Sequence, residues 1–202
     1  MQVTKFISCQ GFPSLDVRHE CYFIPHVNIN PDEISILMIS EAAPPESKDY
    51  YYMGDDSLFE ITTLQAFQEA GAPVSTFNDL HDLGVYLTSA VKCGKTGYGI
   101  KAGTIKECSL ILEQEMALFP DVKVLFLMGD VAIKAINYIA KRTGEEKVIP
   151  AGSTYKIRGQ EYYFRGMRAF PSYLQAGPSF GIEKSKVRMI AEDIAAGLAL
   201  VS

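Results

Sequence analysis

Several groups of residues in this 202-residue chain have types and spacings that could do chemistry. Cys9, Cys21, Cys93 and Cys108 are thiols, and thiolates hold zinc or iron–sulfur clusters. Tyr50, Tyr51 and Tyr52 form a run of aromatic faces, with the acids Glu41, Glu46 and Asp49 shortly before it. Two stretches are basic. Residues 92–106 hold four lysines and no acid, and residues 155–190 hold seven basic side chains against two acidic ones. Each group also has a plain structural reading. Without a secretion signal a disulfide framework is not expected, which leaves the cysteines as core thiols or metal ligands. Tyrosines can cap a core with amphipathic rings, and basic stretches can be solvated faces.

Familiar site motifs fail on their spacing. Gly94-Lys95-Thr96 looks like the end of a phosphate-binding loop, but the position five residues before Gly94 is Ser89 rather than the glycine the loop needs. No glycine-rich dinucleotide fingerprint follows the first strand, and there is neither a nucleophile elbow nor a zinc-binding His-Glu-x-x-His. His19, His26 and His81 are scattered without evident partners.

The elements that must position these residues can be read from hydrophobic period. Apolar residues make up 48% of the chain and charged ones 21%, which excludes disorder and a coiled coil and fits one domain over residues 1–202. The net charge of −5 argues against a purely electrostatic nucleic-acid binder. The longest charge-free run, 169–182, is 14 residues and is broken by Pro and Gly, so no membrane span is expected. The start, MQVTKFISCQGF, has no signal-peptide pattern, and a cytoplasmic location follows as the expectation.

Residues 1–33 read as an irregular segment broken by Pro13, Pro25 and Pro31. Continuous apolar runs at 34–40, 85–91 and 122–128 read as strands buried on both faces. Between them fall helices opened by capping boxes at Ser57/Glu60 and Thr104/Glu107, and another starting at Asp130. A hairpin in 155–164, a short strand at 167–170 and a helix over 182–200 complete the chain. Alternating strands and helices predict a three-layer α/β/α sandwich with a mainly parallel central sheet. Ligands bind such sheets at the carboxyl ends of their strands, here the loops 41–56, 92–103, Gly129-Asp130 and 171–181.

Those loops resemble the uracil-DNA glycosylase superfamily, above all its iron–sulfur branch. ILMISEAAPPES is similar to that branch's strand and Gly-Glu-x-Pro-Gly loop, and LTSAVKC to its Thr-Asn-x-Val-Lys-Cys segment. VKVLFLMGDVAIKAI looks like its next strand and helix start, and FPSYLQAG stands where it has His-Pro-x-Tyr-Leu. The four stretches occur in the family's order over residues 34–177.

The resemblance implies a base flipped out of DNA into a pocket and cut at its N-glycosidic bond, uracil being the first candidate. It makes Glu41 the motif acid, with Glu46 and Asp49 beside it, for positioning water or supporting the cationic sugar. Ala42, Ala43, Tyr52, Ser89 and Phe170 take the base-pocket positions, Tyr52 as the stacking face. Pro171, Ser172, Tyr173 and Leu174 match the loop that presses into the minor groove, Leu174 as its wedge, while Lys184, Lys186 and Arg188 are expected on phosphates. The partner implied is single- or double-stranded DNA, bound by a monomer.

The resemblance also makes Cys9, Cys21, Cys93 and Cys108 ligands of a [4Fe–4S] cluster, or of zinc if the geometry closes; the remaining reading is four core thiols with no metal. Cys93 and Cys108 match the family's later pair, whereas Cys9 and Cys21 stand 11 residues apart in place of an N-terminal Cys-x-x-Cys. Three further departures touch the chemistry. Phe170 replaces a histidine that would stabilise the uracil anion, Ser89 replaces an asparagine that would read the uracil edge, and Ser40 and Pro45 replace both loop glycines. These favour, as an alternative, a nucleic-acid or nucleotide-binding module of the same fold without catalysis; the net negative charge suggests, more remotely, a small-molecule hydrolase using Glu41.

Overall fold

The computed structural model describes residues 1–9, 11–25, 27–53 and 57–201, without the side chains of Cys21 and Tyr22. Strands β1 (Val17–Tyr22), β2 (Ile36–Ala43), β3 (Val85–Lys95), β4 (Val124–Met128), β5 (Tyr162–Phe164) and β6 (Met167–Ser172) form one sheet in the order β1-β3-β2-β4-β6-β5. The inner four are parallel, and β1 and β5 are antiparallel edges.

Side-chain alternation along the strands builds the three layers. Leu37, Ile39, Leu125 and Leu127 pack on one face against α3 (Ala102–Met116) and α4 (Asp130–Arg142). Ile36, Met38, Val124 and Phe126 pack on the other against α1 (Leu58–Glu69) and α6 (Lys184–Leu198). Because both faces are covered, the central strands are apolar at nearly every position, and each fully buried Leu, Ile or Phe contributes about 1.5–3 kcal/mol. The chain passes from β2 to β3 on one side and then to β4 on the other. The connections therefore diverge above the carboxyl end of β2, which opens a crevice there.

Local signals were kept in part. Ser57 caps α1, its hydroxyl accepting from the Glu60 N–H. Thr104 caps nothing: α3 begins at Ala102, and the Thr104 hydroxyl donates to Asp16. Asp16 is the cap from a distance, accepting the Lys101 N–H at 2.7 Å. Burial would raise its pKa, but the bonds from Ser14, Lys101 and Thr104 more than offset that and leave it lowered.

Two expectations are corrected and one helix is added. Residues 1–33 are not wholly irregular, since 17–22 forms edge strand β1. The hairpin is not within 155–164: Thr154–Ile157 is a helical turn, α5, and the turn lies at Arg165-Gly166 between β5 and β6, where both residues have positive φ. Finally, Thr76 and Asp79 form a reciprocal capping box that opens a further helix, α2 (Phe77–Asp82), which carries His81.

Candidate active site at the carboxyl end of the sheet

Glu41, near the carboxyl end of strand β2, is an acid that the fold places in the crevice. Gly129 ends β4 with a φ of +101°, so the next residues open α4 with their N–H groups toward Glu41. The Val131 N–H donates to Glu41 Oε1 at 3.3 Å, and the positive end of the helix dipole faces the carboxylate. A Cβ on Gly129 would lie 2.5 Å from that same oxygen, so glycine is what admits the carboxyl group. Burial raises the Glu41 pKa; the Val131 bond and Lys95 oppose the rise, and Asp130 adds to it. A carboxyl group whose pKa is raised beside a cavity is a candidate for proton transfer.

Beside Glu41 lies a cleft of about 420 Å³, within the range of roughly 300–1,000 Å³ found for ligand sites. Its walls are mostly apolar, formed by Ala42, Pro44, Pro45, Phe59, Ile100, Leu174 and Ala176. Asp49, Lys95 and Thr96 supply polar groups, and the fully exposed Tyr98 stands at the mouth. A second cavity of about 360 Å³ adjoins it, sharing Glu41, Leu174 and Ser179, and reaching Gly129, Tyr173 and Lys186. Arg18 from β1 donates to the Pro45 carbonyl and so holds the rim of the first cleft.

Of the residues expected here, Glu41, Ala42, Asp49, Tyr173, Leu174 and Lys186 line one or both cavities. Others do not. Tyr52 turns away with a φ of +64°, its ring packed against Phe77, His81 and Tyr86 and its hydroxyl accepting the Leu87 N–H at 3.1 Å. Tyr50 and Tyr51 are fully buried, bonded to Ser89 and Gln175, and burial pushes the Tyr51 phenol up to about 12. The tyrosine run is thus a core cap.

Ser89 is fully buried, its hydroxyl shared between Tyr50 and the Val91 carbonyl. Phe170 is buried on β6 against Phe126, with the Arg168 guanidinium 4.3 Å from its ring centroid. Ala43 is core. Glu46 is exposed at the start of a 3-10 turn. Pro171 and Ser172 are buried ends of β6 rather than a protruding loop, and Ser172 donates to Asp193 at 2.5 Å.

The basic stretches are largely committed to structure. Lys92 is fully buried, paired with Glu115 and donating to Thr88 at 2.5 Å and the Ser89 carbonyl at 2.7 Å. Arg158 is bound to Glu192 and Asp193, and Arg165 to Glu113 and Glu145. Lys186 pairs with Glu183 at 2.5 Å and lies over the Tyr173 ring, while Arg188 reaches Glu192 at 3.6 Å and Lys184 is exposed. Lys95 and Tyr98, by contrast, reach the cleft. Their signal was the lysine- and glycine-bearing loop after a buried strand, which named a region but not a side chain.

Among the described residues, the ligand atoms lying within 4.8 Å of one another belong to Cys9, His19 and Cys93, a group that could bind a metal. Cys108 is absent from that set; it is buried in α3, and burial pushes its thiol up to about 12. The Cys21 side chain lies outside the described residues.

The fold and the crevice define a doubly covered, mostly parallel α/β sheet with an acid-bearing pocket at its carboxyl edge. The family model described as the uracil DNA glycosylase superfamily matches residues 27–189, from before β2 into α6. The chain belongs to the uracil-DNA glycosylase superfamily. Membership associates it with glycosylase-type hydrolase chemistry in DNA repair, with DNA as the partner. No curated protein matches the chain. Among the described residues, no helix is long and apolar enough to cross a membrane.

Proposed function

We propose that this protein is a DNA glycosylase that hydrolyses the N-glycosidic bond of a base flipped out of DNA, with uracil as the first base to test. The observation that carries the reading is Glu41, held between the start of α4 and a mostly apolar cleft at the switch point of the sheet. A stacked base shields its glycosidic bond, so the base must leave the helix and enter a pocket. Here it would lie along Ala42, Pro44 and Phe59. The ionised Glu41 then accepts a proton from a water that bonds to the sugar C1′ as the C1′–N bond breaks, and the departing base carries the bond's electrons.

Asp49 is the second acid on the cleft wall, and Lys95 is a cation on the same wall that could meet a phosphate. Leu174, between the two cavities, is the apolar side chain best placed to fill the gap a flipped base leaves. Lys186, with Lys184 and Arg188 on the same helix, supplies backbone contacts to a single- or double-stranded substrate.

The test is release of uracil from single- and double-stranded oligonucleotides by the wild type and by Glu41→Gln. Release by the wild type, reduced by about 10²-fold or more in the variant, supports the reading. A second reading, a DNA-binding member without excision activity, is favoured by the burial of Ser89 and Phe170, which removes both usual base-reading positions from the cleft. Salt-sensitive DNA binding without release of uracil or any other base would select it. Neither binding nor release would reject both.

A further inference from the structure

We propose that Tyr98 is a stacking platform for an unpaired base beside the flipped one, and that the preferred substrate of the cleft is therefore single-stranded DNA. Tyr98 is the most exposed of the large apolar side chains among the described residues. It also lines the cleft that holds Glu41. A buried tyrosine adds a large apolar area to a core, and Tyr50, Tyr51 and Tyr86 are used that way. Tyr98 forgoes that contribution, so packing does not explain where it stands.

The loop that carries it is built to hold the ring out. Its two stems are fixed to one residue. The Asp16 carbonyl accepts the Thr96 N–H at 3.0 Å, and the Asp16 carboxylate accepts the Lys101 N–H at 2.7 Å. The Thr96 hydroxyl adds a bond to the Leu15 carbonyl at 3.2 Å. Residues 97–100 span the interval between these anchors, with Tyr98 among them. A Cβ on Gly97 or Gly99 would meet nothing within 4 Å, so the chain on either side of Tyr98 stands clear and leaves room for a planar partner. Fixed stems also reduce the ordering that binding would otherwise cost.

The charge around the ring fits a nucleic-acid strand. Residues 92–106 hold four lysines and no acid. Lys92 is buried, but Lys101 and Lys106 are exposed and Lys95 lines the cleft. Aromatic rings set among cations are what single-strand binding surfaces use: bases stack on the rings and the cations follow the phosphates. In a duplex the neighbouring base is paired and already stacked, and it reaches Tyr98 only by unpairing. In a single strand that cost is least. The proposal rests on the reading that the cleft takes a nucleotide of DNA, but not on base release.

The experiment is fluorescence anisotropy with oligonucleotides whose uracil nucleotide is made inert by fluorine on its sugar, as single strand and as duplex. The wild type should bind the single strand more tightly. Tyr98→Ala should weaken single-strand binding by about 5- to 150-fold and duplex binding by less than about twofold, while Tyr98→Trp keeps the wild-type affinity. Both variants should retain the wild-type melting temperature, because the replaced ring is exposed. An abasic residue on one side of the uracil should weaken the wild type as much as Tyr98→Ala does, and should cost that variant little more, which marks a direct contact. Three results would overturn the proposal and leave the glycosylase reading in place: a wild type that prefers duplex, a Tyr98→Ala variant that binds single strand as well as the wild type, or a loss equal on both forms of DNA. Binding of neither form would overturn both.

Discussion

Replacing Gly129 with alanine tests whether the seating of Glu41 matters for function. The added Cβ would stand 2.5 Å from Glu41 Oε1 and 2.6–2.7 Å from Cγ and Cδ, against an ordinary contact that begins near 3.4 Å. The carboxylate must retreat by that difference, about 0.9 Å, and its bond from the Val131 N–H, already 3.3 Å, is lost. Gly129 also has a φ of +101°, which side chains rarely adopt. Holding alanine there costs about 1–3 kcal/mol. At 2–4 °C per kcal/mol for a chain of this size, the melting temperature should drop by about 2–12 °C. A displacement of about 1 Å in a reacting group costs on the order of 10²-fold in rate. The assay is single-turnover base release under saturating enzyme, run well below the variant's melting temperature. A folded Gly129→Ala with wild-type release would refute the argument that Glu41 acts from this seat, whatever the melting temperature did.

Three further outcomes are expected. Breaking the buried Lys92–Glu115 pair by Lys92→Met should cost about 3–5 kcal/mol, whereas Lys92→Met with Glu115→Leu should recover most of it; urea unfolding of both variants measures this, and equal destabilisation would contradict it. Tyr52→Phe should cost about 1–3 kcal/mol by orphaning the Leu87 N–H, with DNA binding and base release unchanged because the ring faces away from the cleft; a selective loss of activity would show the ring to be functional. The raised pKa of Glu41 means the folded state holds its proton more tightly than the unfolded state, so this group's stabilising effect is full below about pH 4.5 and is lost as pH rises through the raised value. Glu41→Gln should therefore gain stability over the wild type at neutral pH but not at pH 4, and wild-type base release should climb through that same raised pKa.

The order of strands and helices was legible because it is written in local pattern. Runs such as those of β2 and β4 are apolar at every position only if both faces are covered, and that forces helices onto each side of a parallel sheet. The Ser57 cap and the glycine opening α4 are equally local. From the strand order followed the edge where a ligand must bind, and with it Glu41. Edge strand β1 escaped notice because VRHECY is polar and has no two-sided burial to reveal it. Only the tertiary structure decided which side chains share a site. Three adjacent tyrosines look alike in sequence, but positive φ at Tyr52 and partners from β3 and Gln175 turn all of them inward. Lys92 and Lys95 fall in one basic stretch, yet one is buried on Glu115 and the other opens to the cleft. Gly129 meets Glu41, and His19 meets Cys93, through strand pairing and a register shift between segments distant along the chain. Periodicity encodes which face of an element is buried; it does not encode the register and turns that bring two distant elements together, and those set the chemistry.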